Sequence, residues 1–245
     1  MNILGVVLAR SGSEGLHSKH LQLLLGRQVI DYTLDHAMAS SHITHAVVST
    51  DCSGVKRAAR CCGLTVIDRP AELATATASV QDVMLHAMEV AEENEKFTAD
   101  ALVVLYGNVP LRPLGLIDDA IELLQKTGAD SVRSFCPVGK WHPQWMSRLN
   151  GDRVEACATG SIDRRQNLEP LFLHDGGVVV VSRAAMLRGR QNPADPHAFF
   201  GVDRRGLQTE PGAVVEIDQV RDLYFAEAIL RERRDSQHTF VAKVA

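Results

Sequence analysis

The feature that most constrains this chain is a repeated alternation of short apolar runs with helical patterns. The runs NILGVVLA (2–9), HAVVST (45–50), LTVIDR (64–69) and ALVVLYG (101–107) are rich in Val, Ile and Leu, and DSVRSF (130–135) reads as a fifth strand. A strand with one wet face alternates apolar and polar residues, whereas a continuous run fits a strand covered on both faces. Helical patterns lie between them at 29–40, 53–62, 78–95 and 116–127. This alternation predicts an α/β fold built on a doubly wound, mostly parallel sheet. In such sheets ligands bind at the carboxyl ends of the strands.

After residue 138 the pattern changes. Trp141 and Trp145, a turn signal at Asn150-Gly151 and many polar residues suggest an excursion, an arm over 139–172 that leaves the main sheet. GGVVVVSR (176–183) returns to a buried strand, AVVEID (213–218) reads as a late strand, and 219–234 as a final helix. At 245 residues and 45% hydrophobic, the chain fits a single domain over 1–245 with this arm attached.

Several function classes are disfavoured. A net charge of -4 leaves no basic footprint for nucleic acid. The first apolar run is far too short to span a bilayer and lacks a signal peptide's basic flank. Cys52, Cys61, Cys62, Cys136 and Cys157 are odd in number and irregularly spaced, as expected of reduced thiols in a cytoplasmic protein.

Three groups of residues can carry chemistry. Following the first strand, Ser11, Gly12, Ser13 and Gly15 allow a tight backbone turn that presents N–H groups to an anion, flanked by Arg10 and Lys19. Composition alone is equally compatible with an ordinary strand-to-helix loop; neither the Walker nor the dinucleotide spacing is met. Glu216 and Asp218 stand two apart on the late strand and so share a face. They form either a divalent-cation pair or a place where Asp218 caps the next helix. Arg69 follows a strand, ahead of a helix start near Ser79, and either faces a ligand or pairs with a surface acid.

The order of these blocks resembles one family, the acylneuraminate cytidylyltransferases that activate sialic and other nonulosonic acids, within the nucleotide-diphospho-sugar transferase superfamily. ARSGSEGLHSKHLQLLLGRQVIDYTL is similar to that family's opening loop. VVSTD with RPAELATATAS is similar to its second block, and PLR to its third. RRQNLEPLFLHDGG, FFG and VVEIDQVRDLYFAEAIL follow in the family's order. The resemblance covers nearly the whole chain and implies a Rossmann-like nucleotidyltransferase that moves CMP from CTP to an acidic sugar, releasing pyrophosphate with Mg2+. Carried over by position, it implies catalytic roles for Arg10, Lys19 and Asp218. The nucleotide would lie on Arg10, Ser11, Gly12, Ser13, Gly15, Lys19, Arg69, Ala78, Ser79 and Asn108, and the metal on Glu216 and Asp218. The sugar would meet Tyr106, Gln166, Asp175, Phe199 and Phe200, with Arg165 reaching its carboxylate across a homodimer interface made by the excursion. CTP and a small acidic sugar are the implied partners, with no nucleic acid and no membrane.

Departures from the family pattern are as informative. Glu14 stands where the family has Lys, His20 for Asn, Ala76 for Asp, and Val80 for Ser. Tyr106-Gly107-Asn108-Val109 replaces QPTS; Asp175 replaces Asn, Val179 an aromatic residue, and Glu216 an Asp. LYGNVPL also resembles the LYGDVPL of hexosamine-1-phosphate uridylyltransferases, whose Asp binds Mg2+; Asn108 takes that place. A carboxylate at Glu14 facing a triphosphate at ~5 Å and an effective dielectric near 20 costs on the order of 3 kcal/mol per charge pair before screening. Two alternatives therefore stay open: another nucleotide or sugar on the same fold, or a weakened homologue that binds without turnover.

Overall fold

The computed structural model describes residues 1–245 except 13–14, 159–163, 193 and 245, with backbone alone for 165 and 236–244. In chain order the elements are β1 (Ile3–Leu8), β2 (Leu23–Leu24), β3 (Arg27–Gln28), α1 (Val29–Ala39), β4 (His45–Thr50), α2 (Ser53–Cys61), β5 (Thr65–Asp68), α3 (Val80–Glu95), β6 (Ala101–Tyr106), α4 (Leu116–Thr127) and β7 (Ser131–Pro137). Then come β8 (Ser147–Asn150), β9 (Arg153–Ala156), β10 (Phe172–Ser182), α5 (Arg183–Gly189), β11 (Arg204–Gln208) and α6 (Val220–Val244).

The main sheet has seven strands in the order β11-β7-β10-β6-β1-β4-β5. Every neighbouring pair is parallel except those made by β10, which runs antiparallel to both β6 and β7. The expected doubly wound, mostly parallel sheet is present. Its central strands β1 and β6 are apolar along nearly their whole length because both faces are covered. One face packs Val7, Val103 and Val180 against Ile30 and Leu34 of α1, Val55 of α2 and Ile121 of α4. The other packs Leu4, Val6, Leu102, Val104 and Val179 against Met84 and Met88 of α3 and Met186 of α5. Full burial of each such side chain contributes about 1.5–3 kcal/mol.

Local signals place the helices. Gln28 and Asp31 form a capping box that starts α1. The Ser79 hydroxyl accepts the Asp82 N–H at 3.0 Å and starts α3. Left-handed Gly115 and Gly128 bracket α4 at its expected bounds.

The excursion carries a β8–β9 hairpin with exposed residues, whose turn is Gly151-Asp152, one position beyond the expected Asn150-Gly151. The 213–218 run is not a ladder strand: it makes one bridge, Leu111 to Val215. Beyond that bridge its backbone is held by the Ile217 N–H donating to the Asn108 carbonyl at 2.7 Å. The two-residue strands β2 and β3, helix α5 and the edge strand β11 were not expected; the charged, exposed sequence RRGLQ of β11 carries no buried-strand pattern.

β1 has β4 on one side and β6 on the other. The chain winds outward through α1 and α2 to β5, then crosses by α3 to β6. β1 is thus the switch point, where two loops part and leave a crevice.

Candidate active site

That crevice is a cleft of about 190 Å3. Leu8 and Arg10 come from the end of β1 and its loop, Lys19 and His20 from the turn that follows, and Arg69 from the end of β5. The stretch leading into α3 contributes Leu73, Thr75, Ala76 and Ala78, and the helix itself Val80 and Val83. Tyr106, Asn108 and Glu216 close the far side.

The cations are individually anchored. Arg10 Nη1 donates to the Gly12 carbonyl at 2.8 Å, folding the guanidinium against its own loop. Arg69 is buried and donates from Nη2 to the Ser49 carbonyl at 2.7 Å and from Nε to Ser49 Oγ at 3.2 Å, which ties it to the end of β4. Burial first, and then Arg10, lower its pKa to about 10, offset in part by Asp51; it stays charged at neutral pH. Lys19 Nζ lies 2.8 Å from Asp218 Oδ1.

Asp51, past the end of β4, holds the loop. It accepts the Ser11 N–H at 2.7 Å and also the Ser11 hydroxyl. Its sequence signals are its place just beyond a parallel strand's carboxyl end and its position closing the VVSTD block. His20 is buried beside Gly107, and burial, Lys19, Arg69 and Arg10 together drop its pKa to about 3, against the opposing pull of Asp51. It presents a neutral imidazole to a cationic cleft.

Asn108 organises the acidic side. Its buried amide donates to Glu216 Oε1 at 3.0 Å, to Asp218 Oδ1 at 3.3 Å and to the Ile217 carbonyl at 3.1 Å. Asp218 does not cap α6: Asp222 Oδ2 accepts the N–H groups of Asp218 and Gln219 at 2.9 and 2.7 Å. This leaves the Asp218 carboxylate for Lys19 and for a ligand. Gly15 belongs to the same contact, because a Cβ there would lie 2.6 Å from the Asp218 carbonyl.

Arg112, of the PLR block, is a hub that the sequence reading did not assign. Its buried guanidinium donates to the carbonyls of Gly177 at 2.6 Å, Val109 at 2.6 Å and Tyr106 at 3.1 Å. It fixes the turn that carries Tyr106 and Asn108.

The expected site residues divide. The structure brings Arg10, Lys19, Arg69, Ala78, Tyr106, Asn108 and Glu216 together around one cleft, with Asp218 touching its edge through Lys19 and Asn108. Ser79 spends its hydroxyl on the α3 cap. Ser13 and Glu14 lie outside the described residues, as does the side chain of Arg165. Apart from Tyr106, the described residues that the resemblance gives to the sugar do not line this cleft. Asp175 accepts from the Ser134 and Thr209 hydroxyls and the Gly177 N–H, so it pins β10 to β7. Phe199 and Phe200 are core residues, because the turn carrying them packs onto α5 and the sheet. Gln166 lines a separate groove on the excursion with Val138 and His142.

A cytidylyltransferase family model matches residues 4–205. The chain belongs to the cytidylyltransferase family. This family member is 30% identical over 192 residues to an N-acylneuraminate cytidylyltransferase of Streptococcus agalactiae, a match covering 77% of this chain and 45% of the relative. The chain thus spans about half the length of the first relatives it matches. It is 27% identical over 199 residues to a CMP-N,N'-diacetyllegionaminic acid synthase of Legionella pneumophila, covering 80% of this chain and 84% of that protein. In fold it is similar to a CMP:2-keto-3-deoxy-manno-octonic acid synthetase solved with CTP, at a TM-score of 0.70 and 17% identity, covering 95% of this chain and 100% of the other. Among the described residues no helix is long and apolar enough to cross a membrane.

Proposed function

We propose that this cytidylyltransferase transfers CMP from CTP to an acidic sugar, a nonulosonic or octulosonic acid. The sugar's anomeric hydroxyl oxygen attacks the α-phosphorus; the new C–O–P linkage forms, the α–β phosphoanhydride breaks, pyrophosphate leaves and the hydroxyl proton is released. The observation that carries this reading is the convergence of Arg10, Lys19 and Arg69 on one cleft at the switch point, with Glu216 facing them. Three fixed cations oppose the charge of a triphosphate, and most of the catalytic gain in such a transfer comes from alignment and charge neutralisation. In this reading Arg10 and Lys19 hold phosphate oxygens, and Arg69 and the stretch leading into α3 border the nucleoside. The relatives named above, an N-acylneuraminate cytidylyltransferase and a CMP-sugar-acid synthase, support the same substrate class.

Glu216 and Asp218 suit a Mg2+ ion, which takes one or two carboxylates and fills its shell with water and phosphate oxygens. One Asn108 amide holds an oxygen of each, and both carboxylates are exposed. When bound, the ion supplies charge for the leaving pyrophosphate and the α-phosphate. We further infer a cytoplasmic homodimer that completes the sugar site through the excursion. Trp141, Leu149, Val154 and Leu173 are each more than 60% exposed, a larger apolar display than a solvated hairpin needs.

The test is CTP- and Mg2+-dependent pyrophosphate release with a panel of nonulosonic and octulosonic acids. Release with at least one acid is expected, and none from folded protein overturns the proposal. Stabilisation by UTP or GTP but not by CTP would instead favour another nucleotide on the same fold.

A further inference from the structure

Arg133 stands in the middle of β7, opposite Val179 of β10, which is itself opposite Val104 of β6. It therefore shares a sheet face with Tyr106, two residues beyond Val104 at the end of β6. Its guanidinium lies over two rings, Phe200 at 4.3 Å and Phe135 at 5.0 Å. Its Nε is buried without a hydrogen-bond partner. Among the described residues no carboxylate lies within ion-pair distance, and its charged neighbour is another cation, Arg204, whose guanidinium also borders Phe200 at 5.9 Å.

An unpaired, half-buried guanidinium is costly in the free protein, since desolvation is not recovered by a counter-charge. Burial and Arg204 do lower the Arg133 pKa, as that cost requires, while Tyr106 acts the other way. Two aromatic faces fix the plane of the fork, and a planar fork of fixed orientation matches a carboxylate through two parallel N–H···O bonds. Tyr106 connects this spot to the nucleotide cleft: it lines the cleft, and its phenol feels both Glu216 and Arg133.

We propose that Arg133 is a specificity-determining residue that receives the carboxylate of the acceptor sugar, held ready by Phe135 and Phe200. The proposal rests on the acidic-sugar reading above. It gives Phe200 a part in recognition through Arg133, from its place in the core. It also explains a charged residue inside the expected strand DSVRSF.

The test uses the full chain with Arg133→Met and Arg133→Lys, and a panel of nonulosonic and octulosonic acids, each paired with its methyl ester. In turnover, Arg133→Met should raise KM for the acid roughly thirtyfold or more, the effect expected when a buried charge partner is removed. KM for CTP should stay within about twofold. Arg133→Lys should fall between, keeping charge but losing the fork. The second readout is melting temperature without CTP. Wild type should be stabilised by an acid more than by its ester, and Arg133→Met should lose that difference; if Met prevents folding, Arg133→Gln reads the same quantity. An unchanged acid KM overturns the proposal, as does an equal rise in KM for CTP, which would assign Arg133 to phosphate. A wild type that binds no acid better than its ester also overturns it. Absence of pyrophosphate release with every acid would defeat the transferase reading, while the acid-against-ester comparison would still report on Arg133.

Discussion

Asn108→Asp is the most informative single change at the acidic side of the cleft. The Asn108 amide lies 3.0 Å from Glu216 Oε1 and 3.3 Å from Asp218 Oδ1. An Asp there replaces a shared donor with a third carboxylate. Relaxed to ~4 Å at an effective dielectric near 20, each like-charge pair costs about 4 kcal/mol, or about 8 kcal/mol for two. Proton uptake offers a cheaper escape, since protonating one carboxyl at pH 7 from a reference near 3.9 costs about 4 kcal/mol. Exposure of Glu216 and Asp218 to salt lowers the cost further. We expect a loss of about 2–4 kcal/mol in EDTA, which for a chain of this size is roughly 4–16 °C in melting temperature. The loss should shrink as pH falls from 7 towards 5, because protonation relieves the crowding. Mg2+ should then stabilise the variant more than wild type; a cation at a hundredfold its Kd adds about 2.7 kcal/mol. Differential scanning fluorimetry with EDTA and with graded Mg2+ measures both quantities. A variant that melts with wild type in EDTA, or Mg2+ shifts that are equal in the two proteins, would refute the convergence of these carboxylates on a cation.

Three further outcomes are expected. His20 has a folded pKa of about 3 against 6.5 when free, so below pH ~6.5 the unfolded chain binds the extra proton and stability falls with acidification, by up to about 1.4 kcal/mol per pH unit; urea midpoints at pH 7 and 5 should show a shallower dependence in His20→Asn. Lys19→Ala should cost less than about 1 kcal/mol of stability, since its pair with Asp218 is partly exposed, yet raise KM for CTP roughly tenfold to a hundredfold by removing a charge-assisted phosphate contact; equal KM values would remove Lys19 from the phosphate site. Arg112→Met leaves the carbonyls of Gly177, Val109 and Tyr106 without their donor and should destabilise by at least about 3 kcal/mol, with Arg112→Lys recovering less than half; denaturant midpoints decide this.

The sheet was legible because burial on both faces leaves a direct mark in sequence. HAVVST and the 116–127 helix sit at the bounds expected of them. β11 left no such mark, since an edge strand needs only one neighbour and RRGLQ is almost wholly exposed. The cationic loop was legible for a similar reason: Arg10 and Lys19 are close in sequence to the turn they serve. Asp51, Arg112 and Arg133 were not, because each acts through contacts made only when distant segments meet. Arg112 reaches Gly177 across 65 positions. Phe199 and Phe200 carry a mixed signal: a pair of rings near a site is also what a core needs, and both are buried in one.

The segment 213–218 explains how a wrong assignment of structure can still bring the two expected side chains together. The expectation that Glu216 and Asp218 share a face came from reading a strand, and no ladder is present. Alternation, however, requires only an extended backbone and a reason for every second residue to turn inward. Val215 and Ile217 supply that reason, buried in a small core with Leu24, Leu111 and Ala226. With those two turned in, Glu216 and Asp218 must turn out towards Asn108, whatever the backbone pairs with. The hydrogen bonds that a neighbouring strand would have made are replaced by the backbone and amide of Asn108. The same residue therefore holds the segment and joins its two carboxylates, so a change at Asn108 should act on both the fold of this segment and the charge it gathers.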